Sequence, residues 1–575
     1  MRRSRVGVVL AMLVSVAVFA AACGDDGDAG TTNGESTTST TVVPQSGGVL
    51  TFGQYAAPPS LDPIVALGSG TTGGIEMSAI YDTIMRWNPD TKKYEPRTAE
   101  SLTSSADFTE WTIKVKPGIK FTDGTAYDAA AVAFGLNRHR SGTAGAPPCA
   151  EVVACPRNST SSSVYMALVK DVQVIDALTV KVSLTQPWSA FAYALSDEAG
   201  LIPSPTALRK CDAAKDIREC EFNLKPVGAG PFVLESYKAK EAITLTRNPN
   251  YYGGVPYLDG LRFVDAGDAG GMRTYDLFKT GQVKMAYLRD PAATNQAHAD
   301  KVTGHALMAH GGGIFLLNQG ATVTCAGGKP EPTCTGQPDG PVTTNPPTKT
   351  LKVRQAIAAA IDPVVVDQRA NAGKGLPGTD LLQSDFTWFP SVSGPKYDPA
   401  AAKRLVEEAK AGGWDGKLRF LYNSAPVSQA VALAVQSMLQ AAGMTVTVDV
   451  SKDVAGQIAQ MTVGKDYDMA GLGTSLTDDD GAMVALALTL SSTSAANRAN
   501  YKNATVDQAL RDLFAAPNDD AKKAAFRKVI EQVTLDLPVL AWSKVEEYNV
   551  HAPTVHGLTF NHSGSVLLDK AWLGN

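Results

Sequence analysis

The sequence predicts an α/β protein built from several compact units. Three observations carry this. Residues 398–472 alternate helical and strand periods. Several short stretches elsewhere alternate apolar and polar residues strictly, as half-buried strands do. The chain is 575 residues long, which at about 150 residues per domain gives three to four units. Hydrophobic residues make up 44% and charged residues 19%, the balance of a globular chain. The net charge of −5 argues against general nucleic-acid binding, which needs a basic face. No apolar run of about 18 residues occurs after residue 23, so no internal membrane span is expected.

The first element is an export signal. Met1 to Arg5 carries three arginines, and Val6 to Ala22 is apolar and ends in small residues. That pattern predicts a signal peptide over residues 1–22. Ala20-Ala21-Ala22-Cys23-Gly24 resembles the lipobox of bacterial lipoproteins, with Ala20 where Leu is usual. The resemblance implies that Cys23 is lipidated and becomes the mature N-terminus; the bland alternative is an ordinary secreted protein. Residues 23–47 are then a lipidated, flexible tether. Its Thr, Ser, Gly and Asp residues bury too little surface to offset ordering entropy, and its typical reach is roughly 25 Å.

The body opens with a strand at Val49–Phe52. Trp111, Ile113 and Val115 alternate with Thr112 and Lys114 as another. Asp123-Gly124 is a turn, and Ala129 to Asn137 reads as a helix. Val172–Leu184 and Phe232–Arg247 are strand regions. In the 398–472 run, Asp398-Pro399 supplies an N-cap and a first-turn proline. Ala402, Leu405, Val406 and Ala409 make one apolar stripe, and Gly412-Gly413 ends the helix. Leu418–Tyr422 is a strand. Val431, Ala434, Val435, Met438, Leu439 and Ala442 form the next helical stripe. Met444, Val446, Val448 and Val450 alternate, Val454–Met461 is amphipathic, and Tyr467–Ala470 is a strand. This β-α-β-α-β order implies a partly parallel sheet covered by helices, whose ligands tend to lie beyond the carboxyl ends of the strands.

Apart from Cys23, six cysteines cluster in pairs: Cys149 with Cys155, Cys211 with Cys220, and Cys325 with Cys334. Six cysteines allow fifteen connectivities; the clustering favours the three local disulfides, and export permits them. A zinc site is the rival, but no Cys-x-x-Cys occurs and no His lies near any pair. Catalytic signatures are missing too. The seven histidines form no His-Glu-x-x-His, no Gly-x-Ser-x-Gly exists, and Gly327-Gly328-Lys329 lacks a phosphate-binding frame. Asp478-Asp479-Asp480-Gly481 fails as a calcium loop, with Leu476 at position one and Ala487 at position twelve. No metal, cofactor or catalytic residue is expected, and the chain reads as a binder.

In order along the body come Pro59-Ser60-Leu61-Asp62-Pro63, Ile80-Tyr81-Asp82, Lys116 to Thr125, Gly228-Ala229-Gly230-Pro231-Phe232, and Arg247-Asn248-Pro249-Asn250-Tyr251-Tyr252. Leu317-Asn318, Val353 to Ile357 with Ile361-Asp362, Tyr397-Asp398-Pro399, Asn500 to Asn503 and Leu537-Pro538 follow. This series resembles family 5 of the extracellular solute-binding proteins, the oligopeptide- and dipeptide-binding lipoproteins of ABC importers. The resemblance covers about Gly48 to Asn575. It implies an α/β, three-lobed clamp of the periplasmic-binding-protein kind (type II, cluster C), with mixed sheets flanked by helices. Lobe I would comprise 48–80, 225–305 and 546–575, lobe II an insertion at 81–224, and lobe III 306–545. The implied protein is a monomer anchored by its lipid to the outer face of the cell membrane. It would capture a small solute, an oligopeptide or dipeptide, between lobes I and III by hinge closure, and deliver it to the permease and ATPase subunits. The alternatives are a lipoprotein of the same fold that binds a non-peptide ligand or acts as a structural or regulatory partner, and, behind these, a secreted enzyme.

The same resemblance points to ligand residues. Peptide-binding members carry a Trp and then an ammonium-binding Asp after the Tyr-Asp strand. Here Thr474 and Thr477 stand at those positions, with Asp478 one step later, and Gly471 stands where a carboxylate-binding basic residue sometimes lies. Thr477 and Asp478 are therefore expected in the cleft, faced by Ser69, with Trp388 as an apolar wall and Asn318 nearby; the alternative reading of Asp478-Asp479-Asp480 is a solvated acidic turn.

Overall fold

The computed structural model describes residues 43–66, 69–71, 73–140, 165–211, 219–238 and 241–574. The expected signal peptide, Cys23, most of the tether, and Cys149 with Cys155 lie outside the described residues. Residues 44–575 form one compact unit.

Among the described residues, twelve strands join one mixed sheet. Across it lie Thr445–Lys452, Lys417–Asn423, Met469–Leu472, Gly304–Leu317, Val539–His551, Met285–Leu288, Val49–Gln54, Gly260–Asp265, Ala242–Arg247 and Phe232–Lys238. Leu376–Pro377 pairs beside Val539–His551, and Leu476–Thr477 beside Gly304–Leu317. The 398–472 run folds as its periods predict. Asp398 caps the helix Pro399–Ala411 by accepting from the Ala400 and Ala401 amides. The strand Lys417–Asn423 then runs parallel to both Thr445–Lys452 and Met469–Leu472. The helix Pro426–Ala441 buries Val431, Ala434, Val435 and Leu439, while Met438 stays half-exposed. Parallel pairing recurs where Val49–Gln54 meets Gly260–Asp265. The two predicted strand regions at 172–184 and 232–247 are each a hairpin, Val169–Asp176 with Thr179–Leu184 and Phe232–Lys238 with Ala242–Arg247.

A second, antiparallel sheet holds Ala99–Ser104, Glu110–Val115, Thr179–Leu184 and Val169–Asp176. Trp111, Ile113 and Val115 point into its core, as the alternation requires. That core runs on without a break into Ile314, Leu316, Leu381, Phe386 and Trp388. Two disulfides, Cys211–Cys220 and Cys325–Cys334, pair as the clustering predicts.

The motif residues are mostly architectural. Gly228 and Gly230 pack under the end of the helix Gly74–Tyr81, where a Cβ on either would fall within 2.6 Å of the Ile80 carbonyl oxygen. The Gly230 amide donates to that same carbonyl at 2.8 Å. Arg354 donates to the carbonyls of Asp536, Thr348 and Lys349, closing the end of one helix against another.

The helix Gly74–Tyr81 is buried along its whole length, Glu76 included. Burial pushes the Glu76 carboxyl up to about 7, against a smaller pull downward from its backbone hydrogen bond. The unfolded chain releases this proton near its ordinary pKa of about 4.3, whereas the native state keeps it to about 7. Between those values the unfolded state binds fewer protons, so native stability falls as pH rises, then levels off. Glu76→Gln is expected to remove this loss, gaining at most roughly 4 kcal/mol at pH 8 relative to pH 4. Urea denaturation at the two pH values checks it; an unchanged pH dependence would refute it.

Candidate functional site

One cavity of about 300 Å³ is lined by residues from distant parts of the chain. Ser69, Thr71, Glu547 and Ser563 come from the Val49–Gln54 side of the large sheet. Tyr165, Tyr193, Asp197 and Glu198 come from the segment that carries the four-stranded sheet. Ser475, Thr477, Gly481, Val484, Ala485 and Leu488 come from the loop after Met469–Leu472 and the helix that follows. That helix spans Gly481–Leu490. Its lining positions 481, 484, 485 and 488 share one face, because three- and four-residue steps return to the same side. They give the cavity an apolar wall of small side chains opposite its polar groups.

The polar side is acidic. Asp197, Glu198 and Glu547 are 8%, 4% and 3% exposed. The Tyr193 hydroxyl donates to Asp197 Oδ2 at 3.1 Å, while Asp197 Oδ1 has no hydrogen-bond partner among the described residues. Arg289 reaches Glu547 Oε1 at 3.4 Å. Burial raises the Tyr165 hydroxyl well above its usual value, and the carboxylates of Glu198 and Asp197 add to this. The loops at 69–71 and 563–565 close on one another: the Gly70 amide donates to the Ser563 carbonyl at 2.9 Å. A Cβ on Gly70 would lie 2.4 Å from the Gly564 carbonyl oxygen, so only glycine fits there. Behind the cavity, Asp479 Oδ1 accepts from Thr477 Oγ1 and the Gly481 amide at 2.9 and 2.7 Å. Burial raises the Asp479 carboxyl, with His562 opposing. His562 Nε2 donates to the Ser196 carbonyl at 2.8 Å, and its ring lies 4.8 Å from that of Tyr193.

The five residues expected at the ligand separate into two groups. Ser69 and Thr477 line this cavity together. Asp478, Asn318 and Trp388 do not. Asp478 turns outward, accepting from Lys92 Nζ at 2.9 Å and from the Thr387 amide and hydroxyl at 2.6 and 2.7 Å. It ties the hairpin at 85–96 to the loop at 387. Its neighbour Asp480 repeats this, accepting from Lys522 Nζ at 2.6 Å and the Tyr94 hydroxyl at 3.1 Å. Asn318 is saturated within the scaffold. Its amide donates to the carbonyls of Tyr467 and Lys465, and its oxygen accepts from the Gly320 amide and the Asn500 side chain. Trp388 stacks on Phe526, and its indole N–H donates to Asp519 at 2.9 Å.

Tyr165, Tyr193, Asp197, Glu198, Glu547 and Ser563 were not legible in the sequence, since none belongs to a local motif. Two larger cavities, of about 950 and 1060 Å³, open around Pro332, Arg419 and Asp466. Neither brings a ring of buried carboxyls together, and the smaller, convergent cavity is the better candidate.

The profile of the bacterial extracellular solute-binding proteins, family 5, matches residues 93–496. A glutathione-binding protein, GsiB, of Pectobacterium atrosepticum is 26% identical over 450 residues, 76% of this chain and 78% of that one. The homologous protein of Salmonella paratyphi A is 28% identical over 375 residues, 65% of this chain and 64% of that one. Among solved structures, the oligopeptide-binding protein AppA of Bacillus subtilis, in complex with a nonapeptide, superimposes with a TM-score of 0.70. It is 19% identical and is matched over 93% of this chain and 100% of its own. A dipeptide-binding protein of Pseudoalteromonas sp. SM9913, in complex with Met-Leu, gives 0.69 at 20% identity, over 92% of this chain and 100% of its own. Among the described residues no helix is long and apolar enough to cross a membrane. A profile match across most of the body, with the same fold in solved members, establishes that the chain belongs to family 5 of the bacterial extracellular solute-binding proteins.

Proposed function

We propose that the chain is the substrate-binding component of an ABC importer, and that its ligand is a small solute of dipeptide size held in the cavity between the lobes. The observation that carries this is the cavity itself, with lining groups drawn from all three segments assigned to lobes I, II and III. A ligand touching groups on both sides stabilises the closed arrangement over the open one, as any ligand-driven closure requires. Lobe I is 48–80, 225–305 and 546–575, lobe II is 81–224, and lobe III is 306–545. The boundaries at 305/306 and 545/546 fall inside the two paired strands Gly304–Leu317 and Val539–His551. Their pairing is irregular between Ala309 and Ile314, at Gly311-Gly312-Gly313. That glycine run is the hinge in this reading.

A peptide is the solute that the relatives' names favour. The cavity volume of about 300 Å³ lies at the lower end of the usual range of about 300–1,000 Å³, which suits a dipeptide better than an oligopeptide. Ala485, half-exposed on the cavity wall, provides the test. Ala485→Trp is expected to fill the cavity and lower affinity for the co-purifying solute at least tenfold, with little change in thermal midpoint. Native mass spectrometry identifies the retained solute, and calorimetry measures its affinity. Undiminished binding by the variant, or absence of any retained or binding solute, refutes the assignment.

The anchor belongs to the same reading. Cys23 is lipidated, the segment 23–47 tethers the body to the outer face of the membrane, and the chain works as a monomer with a permease and ATPase. Cys23→Ala is expected to release the body into the medium or leave an unprocessed precursor. A normally processed variant that still partitions into detergent would refute the anchor.

A further inference from the structure

We propose that the cavity selects a solute of net positive charge, whose amine is held by Asp197, Glu198 and Glu547. This rests on the solute-binding assignment above and adds the charge of the ligand. Among the described residues that line the cavity there are three carboxyl groups and no Lys, Arg or His. All three are more than nine-tenths buried, where an ionised carboxylate is costly unless a cation or hydrogen-bond donors meet it. Glu198 has a partner within the protein, with the Tyr165 hydroxyl beside it, and the described residues supply only part of the compensation that Asp197 and Glu547 need. Arg289 sits against Glu547 from outside the cavity, at 3.4 Å. The Tyr193 hydroxyl serves one oxygen of Asp197. The other oxygen, Oδ1, has no partner among the described residues, although the residue is 8% exposed and lines the cavity. An ammonium group carries three donors and a full charge, and so supplies what this wall lacks. The opposite wall, Val484, Ala485 and Leu488, offers methyl groups and no partner for an anion. The hydroxyls of Ser69, Thr71, Ser475, Thr477 and Ser563 are neutral and accept from an amine as readily as they donate. A zwitterionic solute would bring a carboxylate into this acidic space, where no described lining residue is a cation, and like charges at close range cost affinity.

Calorimetry on the full chain, stripped of co-purifying solute, tests this with four probes of similar size. These are alanyl-lysinamide (net charge +2), alanyl-alaninamide (+1), alanyl-alanine (0) and alanyl-glutamate (−1). Affinity is expected to rise with charge, by at least tenfold from alanyl-alanine to alanyl-lysinamide. In Asp197→Asn and Glu198→Gln this spread is expected to shrink at least threefold. Equal or tighter binding of alanyl-alanine or alanyl-glutamate, or no binding by any probe, overturns the proposal. The wild-type series decides the matter even where a variant fails to fold. Retention of a neutral or anionic solute by the native protein would overturn the charge selection and leave the importer assignment standing; only absence of any bound solute removes both.

Discussion

Asp62→Ala is expected to destabilise the protein by about 3–5 kcal/mol. Asp62 belongs to the Pro59–Pro63 motif, and its side chain is 0% exposed; Arg138, at the end of the helix Ala129–Arg140, is 1% exposed. The two form a bidentate pair, Nη1 to Oδ1 at 3.1 Å and Nη2 to Oδ2 at 2.8 Å. Removing the carboxylate leaves a guanidinium buried without its counter-ion, and that desolvation penalty is the source of the cost. The pair also joins segments far apart in sequence, so its loss loosens the seam between the opening loop and the helix. Asp62→Leu with Arg138→Met is expected to recover most of the stability, because a buried ion pair replaced by packed apolar groups is often neutral. Urea denaturation followed by tryptophan fluorescence measures both. A loss below about 1 kcal/mol in Asp62→Ala would show that the pair is better solvated than its burial indicates.

Arg97→Leu is expected to cost a similar amount, about 3–5 kcal/mol, for a broader reason. Arg97 donates through Nε to Asp82 at 2.9 Å, through Nη1 to Asp569 at 3.1 Å, and through Nη2 to the Tyr251 hydroxyl at 3.0 Å. Asp82 in turn accepts from the hydroxyls of Tyr251 and Tyr252 at 2.6 and 2.7 Å. Both carboxylates are buried, and in Arg97→Leu neither keeps its ion pair. Arg97→Lys is expected to lose about 1.5–3 kcal/mol, since an ammonium cannot reproduce the flat fork that serves three partners. If Arg97→Lys matches wild type in denaturation, charge alone suffices and the fork geometry is irrelevant.

These two networks explain what the recognisable motifs do. Asp62, Asp82, Tyr251, Tyr252, Arg354 and Asn318 all belong to the stretches that mark the family, and all are consumed by the scaffold. The same holds for the glycines at 228 and 230. Such motifs identify the fold because each satisfies a local demand: a cap, a close backbone approach, or a buried charge that needs a fixed partner. They say little about the ligand, because none of these side chains lines the cavity proposed for it.

The acidic run shows where reading by position loses its grip. Three aspartates stand side by side, and nothing in the sequence separates them. In the folded chain Thr477 and Asp479 turn inward, while Asp478 turns outward to Lys92 and Thr387. The strand ends at Thr477 and residues 478–480 form a turn, so neighbouring aspartates point in different directions and a one-residue offset separates a residue that lines the cavity from one that ties two loops together. Trp388 lies outside this cavity for a different reason. A large aromatic ring serves a core as well as a binding wall, and the neighbouring Phe526 and Asp519 come from a helix 131 positions further on.

The sequence by itself determined the elements and their order. Periodicity, caps and glycine stops are local properties, and they placed the 398–472 units to within a few residues and called for a mixed, partly parallel sheet. Local cysteine spacing likewise determined the pairs Cys211–Cys220 and Cys325–Cys334. Tertiary structure alone decided the site. Ser69 and Ser563 stand almost 500 positions apart, yet their loops line one cavity with Asp197, Glu198 and Glu547. No window along the chain holds that combination, because the acidity of the cavity arises only when carboxyls from separate segments converge.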